Sequence, residues 1–122
     1  MARQPIDDFS CNHCTLSLKK LRKMAEVGGA KEIFTTPARG YQMNIYDITD
    51  DGFMRMRRST GKITWALDVH TLRRVHDLVH AGAIDLEPHA IASAKIDGVQ
   101  KAALWGTYLA ALLKHLRCER IK

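Results

Sequence analysis

Apolar residues recur at helical spacing near the start of the chain. Leu18, Leu21 and Met24 fall on one face, basic residues fill most positions between them, and Gly28 follows. Residues three and four apart share a face of a helix, and glycine is favoured just after a helix ends. The pattern therefore predicts a short amphipathic helix over residues 16–27 with a basic outer side.

The second half of the chain carries three further helical patterns. An apolar stripe lies between Asp68, a residue type that caps helix starts, and Gly82, where a helix can end. Pro88 can open a short helix that runs to about Ala94, because a first-turn proline loses no needed N–H group. The longest pattern runs from Val99 to Arg117 and predicts a long C-terminal helix.

Between these helices the pattern changes to an alternation of apolar and polar residues, which predicts strands. The predicted strands cover residues 33–36, 41–45, 53–58 and 62–67, and Asp51-Gly52 marks a hairpin turn. One face of these strands is expected to hold eight apolar side chains: Tyr41, Met43, Ile45, Met54, Met56, Ile63, Trp65 and Leu67. We therefore expect an antiparallel β-meander of three to four strands with one apolar face.

The apolar face of such a small sheet needs a cover, and the predicted helices can provide it. The predicted fold class is α+β: a small antiparallel meander covered on one face by helices, with a long C-terminal helix. The charge is spread evenly and no linker stands out, so we expect a single domain over residues 1–122. Residues 1–14 are predicted to form an N-terminal arm that carries Cys11-x-x-Cys14.

Composition and charge narrow the class of protein. Of 122 residues, 46% are hydrophobic and 26% are charged, which argues against a disordered chain. Nineteen lysines and arginines against thirteen acidic residues give a formal net charge of +6, which admits nucleic acid or another acidic partner. The most apolar run, Ala102–Leu113, is about half the length that a membrane-spanning helix needs, and the N-terminus lacks a secretory pattern. With only three cysteines, we expect a reducing, cytoplasmic location.

Cations concentrate at the turn formed by residues 57–62, Arg-Arg-Ser-Thr-Gly-Lys. Guanidinium forks, hydroxyls and exposed turn N–H groups all suit phosphate oxygens. The lysines of the first helix add a second basic surface. The predicted nucleic-acid contacts are Arg55, Arg57, Arg58, Ser59, Thr60 and Lys62 together with Lys19, Lys20 and Lys23. The alternative is that these charges keep the protein in solution and protect a sheet edge.

The run Phe9-Ser10-Cys11-Asn12-His13-Cys14 resembles a zinc knuckle, in which two thiolates separated by two residues chelate one ion. Near the other end, His115 and Cys118 are three apart on a predicted helix and therefore share a face. Together, Cys11, Cys14, His115 and Cys118 make a Cys₃His set, which is a normal complement for structural zinc. The alternative is three free thiols, two of them in a mobile arm.

A second histidine pattern lies on the helix predicted after Asp68. His76 and His80 are one turn apart and superficially suggest a metalloprotease pair. The residue after the first histidine is Asp77, however, where that chemistry uses the longer Glu. We therefore interpret this region as a polar surface, with His76 at the edge of the apolar stripe and His80 on the outer side.

The last predicted helix is apolar over most of its circumference. Such a helix is either buried on two sides within the chain or shared with a partner. A core helix is the favoured interpretation, and the alternative is a homodimer through Val99 to Arg117, anchored by Trp105 and Tyr108. Gly106 lies close to the apolar stripe and is expected to let a neighbouring backbone approach.

These features favour a small basic nucleic-acid-binding or regulatory module, for which structural Zn²⁺ is the candidate cofactor. The alternative is a protein–protein interaction or inhibitor protein that docks on an acidic surface of a larger complex. An enzyme is the weakest interpretation, because the sequence contains no supported nucleophile–base pair, paired carboxylates or cofactor loop. The first two classes share the same surface chemistry, and the sequence leaves both open.

Overall fold

The computed structural model describes residues 5–36, 40–64, 66–94, 96 and 102–118, with the backbone alone for 102–104. Its elements in chain order are α1 (Leu18–Met24), β1 (Phe34–Thr35), β2 (Gln42–Ile48), β3 (Phe53–Arg58), β4 (Leu67–Asp68), α2 (Val69–His80), α3 (Pro88–Ser93) and α4 (Ala102–His115). The four strands form an open antiparallel sheet in the order β1-β2-β3-β4, and the predicted α+β fold class is confirmed. Trp65 and the predicted helix start at Val99 lie outside the described residues.

The core lies between the sheet and the helices. On β3, Met54 and Met56 are buried while Arg55 and Arg57 lie on the opposite face, as the alternation predicts. Helix α1 contacts β2, α2 contacts β4, and α4 contacts β1. Side chains from these helices and from the inner face of the strands form one hydrophobic cluster. The sheet thus has one face packed on helices and one face that carries charge.

The return segment after β3 differs from its prediction in register. Ile63 pairs with Arg57 in an isolated bridge, and Leu67 pairs with Met54 in β4. Between these two pairs the chain advances three residues along β3 but four along the return segment, so the return segment contains one extra residue. The extra residue moves the side chains that follow it to the other face of the sheet. Ile63, predicted on the inner face, consequently shares the outer face with Arg57 and is 38% exposed, whereas Leu67 is buried. Tyr41, also predicted on the inner face, lies just before β2 and is exposed.

Helix α1 is shorter than predicted because the chain leaves it for the edge of the sheet. The hydroxyl of Ser17 caps the start by accepting a hydrogen bond from the N–H of Lys20 at 2.9 Å. At the other end the backbone becomes extended at Ala25. The N–H groups of Glu26 and Val27 then donate to carbonyls of β2, at 2.8 and 2.9 Å. These two bonds replace the last predicted turn of the helix.

The N-terminal segment packs against the hairpin between β2 and β3. Gly52 ends the hairpin turn with a φ of 90°, a conformation that glycine adopts without strain. A Cβ at Gly52 would lie 2.9 Å from the side chain of Ile6. The N–H of Ile6 also donates to the carbonyl of Asp50 at 2.9 Å. The predicted arm is therefore attached to the sheet from residue 6 onward.

Helix α4 runs through the centre of the core. Trp105 and Tyr108 are 7% and 8% exposed within the single chain, which supports the interpretation as a core helix. The homodimer through this helix stays a prediction. A Cβ at Gly106 would lie 2.6 Å from the carbonyl oxygen of Pro88, so the backbone of α3 approaches α4 at this glycine. Within the described residues, no helix has the length and apolarity that crossing a membrane requires.

Candidate metal centre

The segment around Cys11 and Cys14 folds as a small hairpin whose loop presents both thiols. The N–H of Cys11 donates to the carbonyl of Leu16 at 2.8 Å, and the N–H of Leu18 donates to the carbonyl of Phe9 at 3.1 Å. Within the loop, the N–H of His13 donates to Cys11 Sγ at 3.3 Å. The thiolate is the form of cysteine that binds metals.

Helix α2 brings two histidines to the same place. Its start is capped by the carboxylate of Asp68, which accepts from the N–H of His70 at 2.9 Å, as the sequence predicts. His76 and His80 lie one turn apart, so their rings fall on one face with centroids 4.0 Å apart. They are only 6% and 9% exposed. The prediction that His80 lies on the outer side of this helix is therefore wrong.

The four side chains converge on one point. Cys14 Sγ lies 3.4 Å from His76 Nε2, and Cys11 Sγ lies 3.9 Å from His80 Nδ1. The ligand atoms of all four residues lie within 4.8 Å of one another. A tetrahedral zinc ion with ordinary bond lengths separates a sulfur ligand from a nitrogen ligand by about 3.5 Å. The two measured sulfur–nitrogen distances lie on either side of this value, so the group fits a metal ion.

A carboxylate beside the group orients one of the histidines. His76 Nδ1 lies 3.0 Å from Asp77 Oδ1, on the opposite side of the ring from the nitrogen that faces Cys14. A metal-binding histidine usually donates its second ring N–H to such a carboxylate, which sets the tautomer and the ring orientation. In the metalloprotease pattern, Asp77 occupies the position of the general base and is too short for it. In the structure it has this orienting geometry instead.

The end of α4 closes the site from a third direction. Arg117 has a φ of 61°, and the N–H of Cys118 donates to the carbonyl of Leu113 at 2.9 Å. This is a Schellman turn, which reverses the chain at the end of a helix. Thr15 donates from both its N–H (3.1 Å) and its hydroxyl (2.9 Å) to the carbonyl of Leu116. The turn and these two bonds place the end of α4 against the cysteine loop.

The turn also brings the third cysteine to the site. Cys118 Sγ lies 3.1 Å from Cys14 Sγ, and Cys118 is 4% exposed. Burial raises the pKa of the Cys14 thiol, and burial together with the contact to Cys14 raises the pKa of the Cys118 thiol. A bound cation opposes this effect, because a coordinating thiol is deprotonated by the metal.

His115 lies apart from the four-residue group, which corrects the predicted Cys₃His set. Its Nε2 is hydrogen-bonded to a carboxylate oxygen of Glu32, and its ring packs on Phe34 with centroids 5.6 Å apart. The prediction assumed one continuous helix through His115 and Cys118. The helix ends at His115, and the Schellman turn then carries Cys118 away from the face on which His115 lies. Cys11 and Cys14 belong to the group that could hold a metal ion, and Cys118 lies beside them.

The missed histidines carry a signal that the sequence contains. Cys11-x-x-Cys14 followed by His76-x-x-x-His80 matches the ligand spacing of structural Cys₂His₂ zinc sites. His76 and His80 also fall on the same helical face as Leu72, at steps of four and eight residues. An inward position for both histidines was therefore readable from the apolar stripe. The sequence does not show which pair of ligands the fold brings to the cysteines.

The predicted basic residues are divided between two environments. Arg55 makes a bidentate pair with Asp47, at 2.9 and 2.6 Å, and its guanidinium lies over the ring of Tyr46. Arg57 donates to Glu26 at 3.0 Å. On α1, Lys20 binds Glu32 at 3.0 Å, whereas Lys19 and Lys23 are exposed. A large part of the predicted positive charge is thus offset by carboxylates.

Three cations, Lys31, Arg57 and Arg58, line a cavity of about 260 Å³, here called the basic cup, on the outer side of the sheet. Its polar lining includes Lys31, Gln42, Asn44, Arg57, Arg58 and Ser59. The N–H of Ser59 donates to the carbonyl of Gln42 at 3.1 Å, and the N–H of Gly61 donates to that of Arg58 at 2.8 Å. These turn N–H groups, expected to face a phosphate, are therefore used within the protein. Thr60 and Lys62 are exposed at the tip of the turn.

The chain matches no family model, no curated protein and no solved structure. Evidence for its function therefore comes from the geometry and chemistry of its own residues.

Proposed function

We propose that this protein is a small module built around a structural zinc ion bound by Cys11, Cys14, His76 and His80. The observation that carries the proposal is the convergence of two sulfur and two nitrogen donors within 4.8 Å of one another. The partly buried cysteine loop and the buried face of α2 supply these donors from positions far apart in the sequence. A metal ion here joins the N-terminal segment to the helical layer.

The donor set favours zinc and a structural role. Thiolates and imidazoles together are typical ligands of zinc, whereas calcium and magnesium prefer oxygen. Four protein ligands complete a tetrahedral shell, and catalytic zinc usually keeps one position for water or substrate. The orienting contact of His76 with Asp77 and the backbone donor on Cys11 are the outer contacts that such sites require.

Metal content tests this proposal. Protein prepared in metal-free buffer is expected to carry about one equivalent of zinc, and a strong chelator is expected to lower its unfolding temperature. His76→Ala and His80→Ala each remove one ligand and are expected to lose most of the zinc. His70→Ala is the matched control, because His70 is an exposed histidine on the same helix. Elemental emission gives the stoichiometry.

Cobalt substitution provides a second readout that does not depend on stability. Cobalt bound by two thiolates is expected to show sulfur-to-metal absorption, and Cys11→Ser is expected to weaken that absorption. The proposal fails if the unaltered protein holds no zinc and chelator leaves its stability unchanged. It also fails if His76→Ala and His80→Ala hold as much zinc as His70→Ala.

A second candidate function is nucleic-acid binding at the basic cup. Lys31, Arg57 and Arg58 line the cup. Within the described residues, Lys31 and Arg57 share a single carboxylate, that of Glu26. The guanidinium of Arg58 lies 5.7 Å from the ring centre of exposed Tyr41. Cations beside an exposed aromatic ring suit a flexible single strand, whose phosphates need charge and whose bases stack.

Salt-dependent binding tests this second function. Arg58→Gln is expected to weaken the binding of single-stranded RNA or DNA and to lower the salt slope by about one, because one phosphate contact is lost. Arg55→Gln is the control, since Asp47 already offsets the charge of Arg55. A smaller effect is therefore expected from it. Equal effects of the two variants, or negligible retention of duplex, single-stranded DNA and RNA at low salt, would favour the alternative of an interaction or inhibitor protein.

A further inference from the structure

Cys118 is a third thiol at the metal centre, beside the four proposed ligands. Its Sγ is 3.1 Å from that of Cys14, although the two residues are 104 positions apart in the chain. Two sulfur ligands of one tetrahedral zinc lie about 3.8 Å apart. The Cys14–Cys118 separation is shorter than this, so the contact between these two sulfurs is closer than a shared zinc ion requires.

The fold holds this contact by two independent devices. The Schellman turn at Arg117 directs Cys118 back toward the core, through the bond from its N–H to Leu113. Thr15, which follows Cys14 in the chain, makes two hydrogen bonds to the carbonyl of Leu116, two residues before Cys118. Both sulfurs are therefore positioned by backbone hydrogen bonds next to them in sequence.

We propose that Cys14 and Cys118 form an oxidative modification site, at which a hydroperoxide converts the two thiols to a disulfide. Cys14 is half-buried and can meet a small oxidant, whereas buried Cys118 is placed to resolve the product. The disulfide removes Cys14 from the metal shell and leaves three donors, so zinc is bound more weakly and is lost to a competing chelator. This last consequence rests on the zinc site proposed above.

The chemistry is balanced by one peroxide molecule. The Cys14 thiolate attacks a peroxide oxygen, the O–O bond breaks, and hydroxide leaves, which gives a sulfenic acid on Cys14. Cys118 sulfur then attacks Cys14 sulfur, the S–S bond forms, the S–O bond breaks, and water leaves with the Cys118 proton. The two sulfurs together lose two electrons, and the peroxide gains them.

Cys11 is the competing partner for Cys14. Its sulfur accepts from the N–H of His13 at 3.3 Å and faces His80 at 3.9 Å. A disulfide between Cys14 and Cys118 removes one ligand and leaves Cys11, His76 and His80 as donors. A disulfide between Cys11 and Cys14 would remove two ligands at once, so the two products differ in the residual metal affinity as well as in the linked peptides.

The test is oxidation of the zinc-loaded protein with hydrogen peroxide, followed by peptide mapping and a colorimetric assay of released zinc. The unaltered protein is expected to yield a peptide linked through Cys14 and Cys118, together with zinc release that a thiol reductant reverses. Cys118→Ser is expected to hold zinc fully before oxidation and to release it several-fold more slowly. Circular dichroism confirms that the variant is folded.

Cys11→Ser gives a readout independent of metal and of the Cys118 variant. With three cysteines in the chain, the only internal disulfide left to it is Cys14–Cys118, and its intact mass is expected to fall by two hydrogen atoms. The proposal is overturned if the main product joins Cys11 to Cys14, or if Cys118→Ser loses its zinc before any oxidant is added. If the unaltered protein carries no zinc, the proposed zinc site is wrong. Peptide mapping then still shows whether peroxide links Cys14 to Cys118.

Discussion

At the scale of single residues, Glu32 shows how a surface charge is used to hold elements together. Its carboxylate accepts from Lys20 on α1 and from His115 at the end of α4. The hydrogen bond from His115, followed by that from Lys20, holds the pKa of Glu32 below its ordinary value of 4.5. The loop after α1 is thus attached to two helices through one side chain.

The lowered pKa of Glu32 predicts a pH dependence of stability. Because the folded state lowers this pKa, the charged carboxylate stabilises the fold above the ordinary value, and the contribution is lost as the pH falls through the lowered one. Glu32→Gln is expected to be less stable than the unaltered protein by about 0.5 kcal/mol at about pH 6, because the pair is partly exposed. The difference is expected to disappear in acid.

Urea unfolding at a series of pH values measures this difference. Glu87→Gln serves as the control, because the side chain of Glu87 makes no cap hydrogen bond at the start of α3. A stability difference for Glu32→Gln that stays constant down to the acid limit would contradict the assignment.

At the scale of elements, the position of α3 depends on a glycine of α4. Because Gly106 has no Cβ, the carbonyl of Pro88 can approach the backbone of α4 closely. A Cβ at this position would lie only 2.6 Å from the carbonyl oxygen of Pro88. The contact places the two helices side by side in the second layer. It also explains why a residue of low helix propensity lies inside the longest helix of the described chain.

Gly106→Ala tests this contact with opposing effects of known size. Alanine improves the intrinsic stability of a helix by about 1 kcal/mol, whereas a backbone shift forced by overpacking costs about 1–3 kcal/mol. The net expectation is a loss of about 1 kcal/mol in the free energy of unfolding. Lys114→Ala, at an exposed position of the same helix, is expected to change stability little. A stabilised Gly106→Ala variant would show that α3 moves without cost.

At the scale of the whole molecule, the fold was largely readable and the site was readable in part. Alternation on β3 predicts the inward Met54 and the outward Arg55 because strand periodicity is local. The register change before Leu67 is not readable, since one extra residue leaves the composition of the segment unchanged.

The candidate site shows the same division between local and distant information. The cysteine spacing is local and predicts a pair of metal-binding thiols, whereas the choice between His115 and the histidines of α2 depends on how the helices pack. His115 has the right residue type but lies against Glu32. A short Schellman turn determines where Cys118 lies. The positive φ of this turn falls on Arg117, and arginine does not predict a positive φ.

The central place of α4 has a consequence for the order in which the protein can form. Translation completes residues 11 to 80, and with them every proposed zinc ligand, before it reaches the helix that fills the middle of the core. If the proposed zinc ion binds at this stage, it links the N-terminal segment to α2 before α4 has been synthesised. We therefore expect zinc binding to precede the packing of α4 against the sheet.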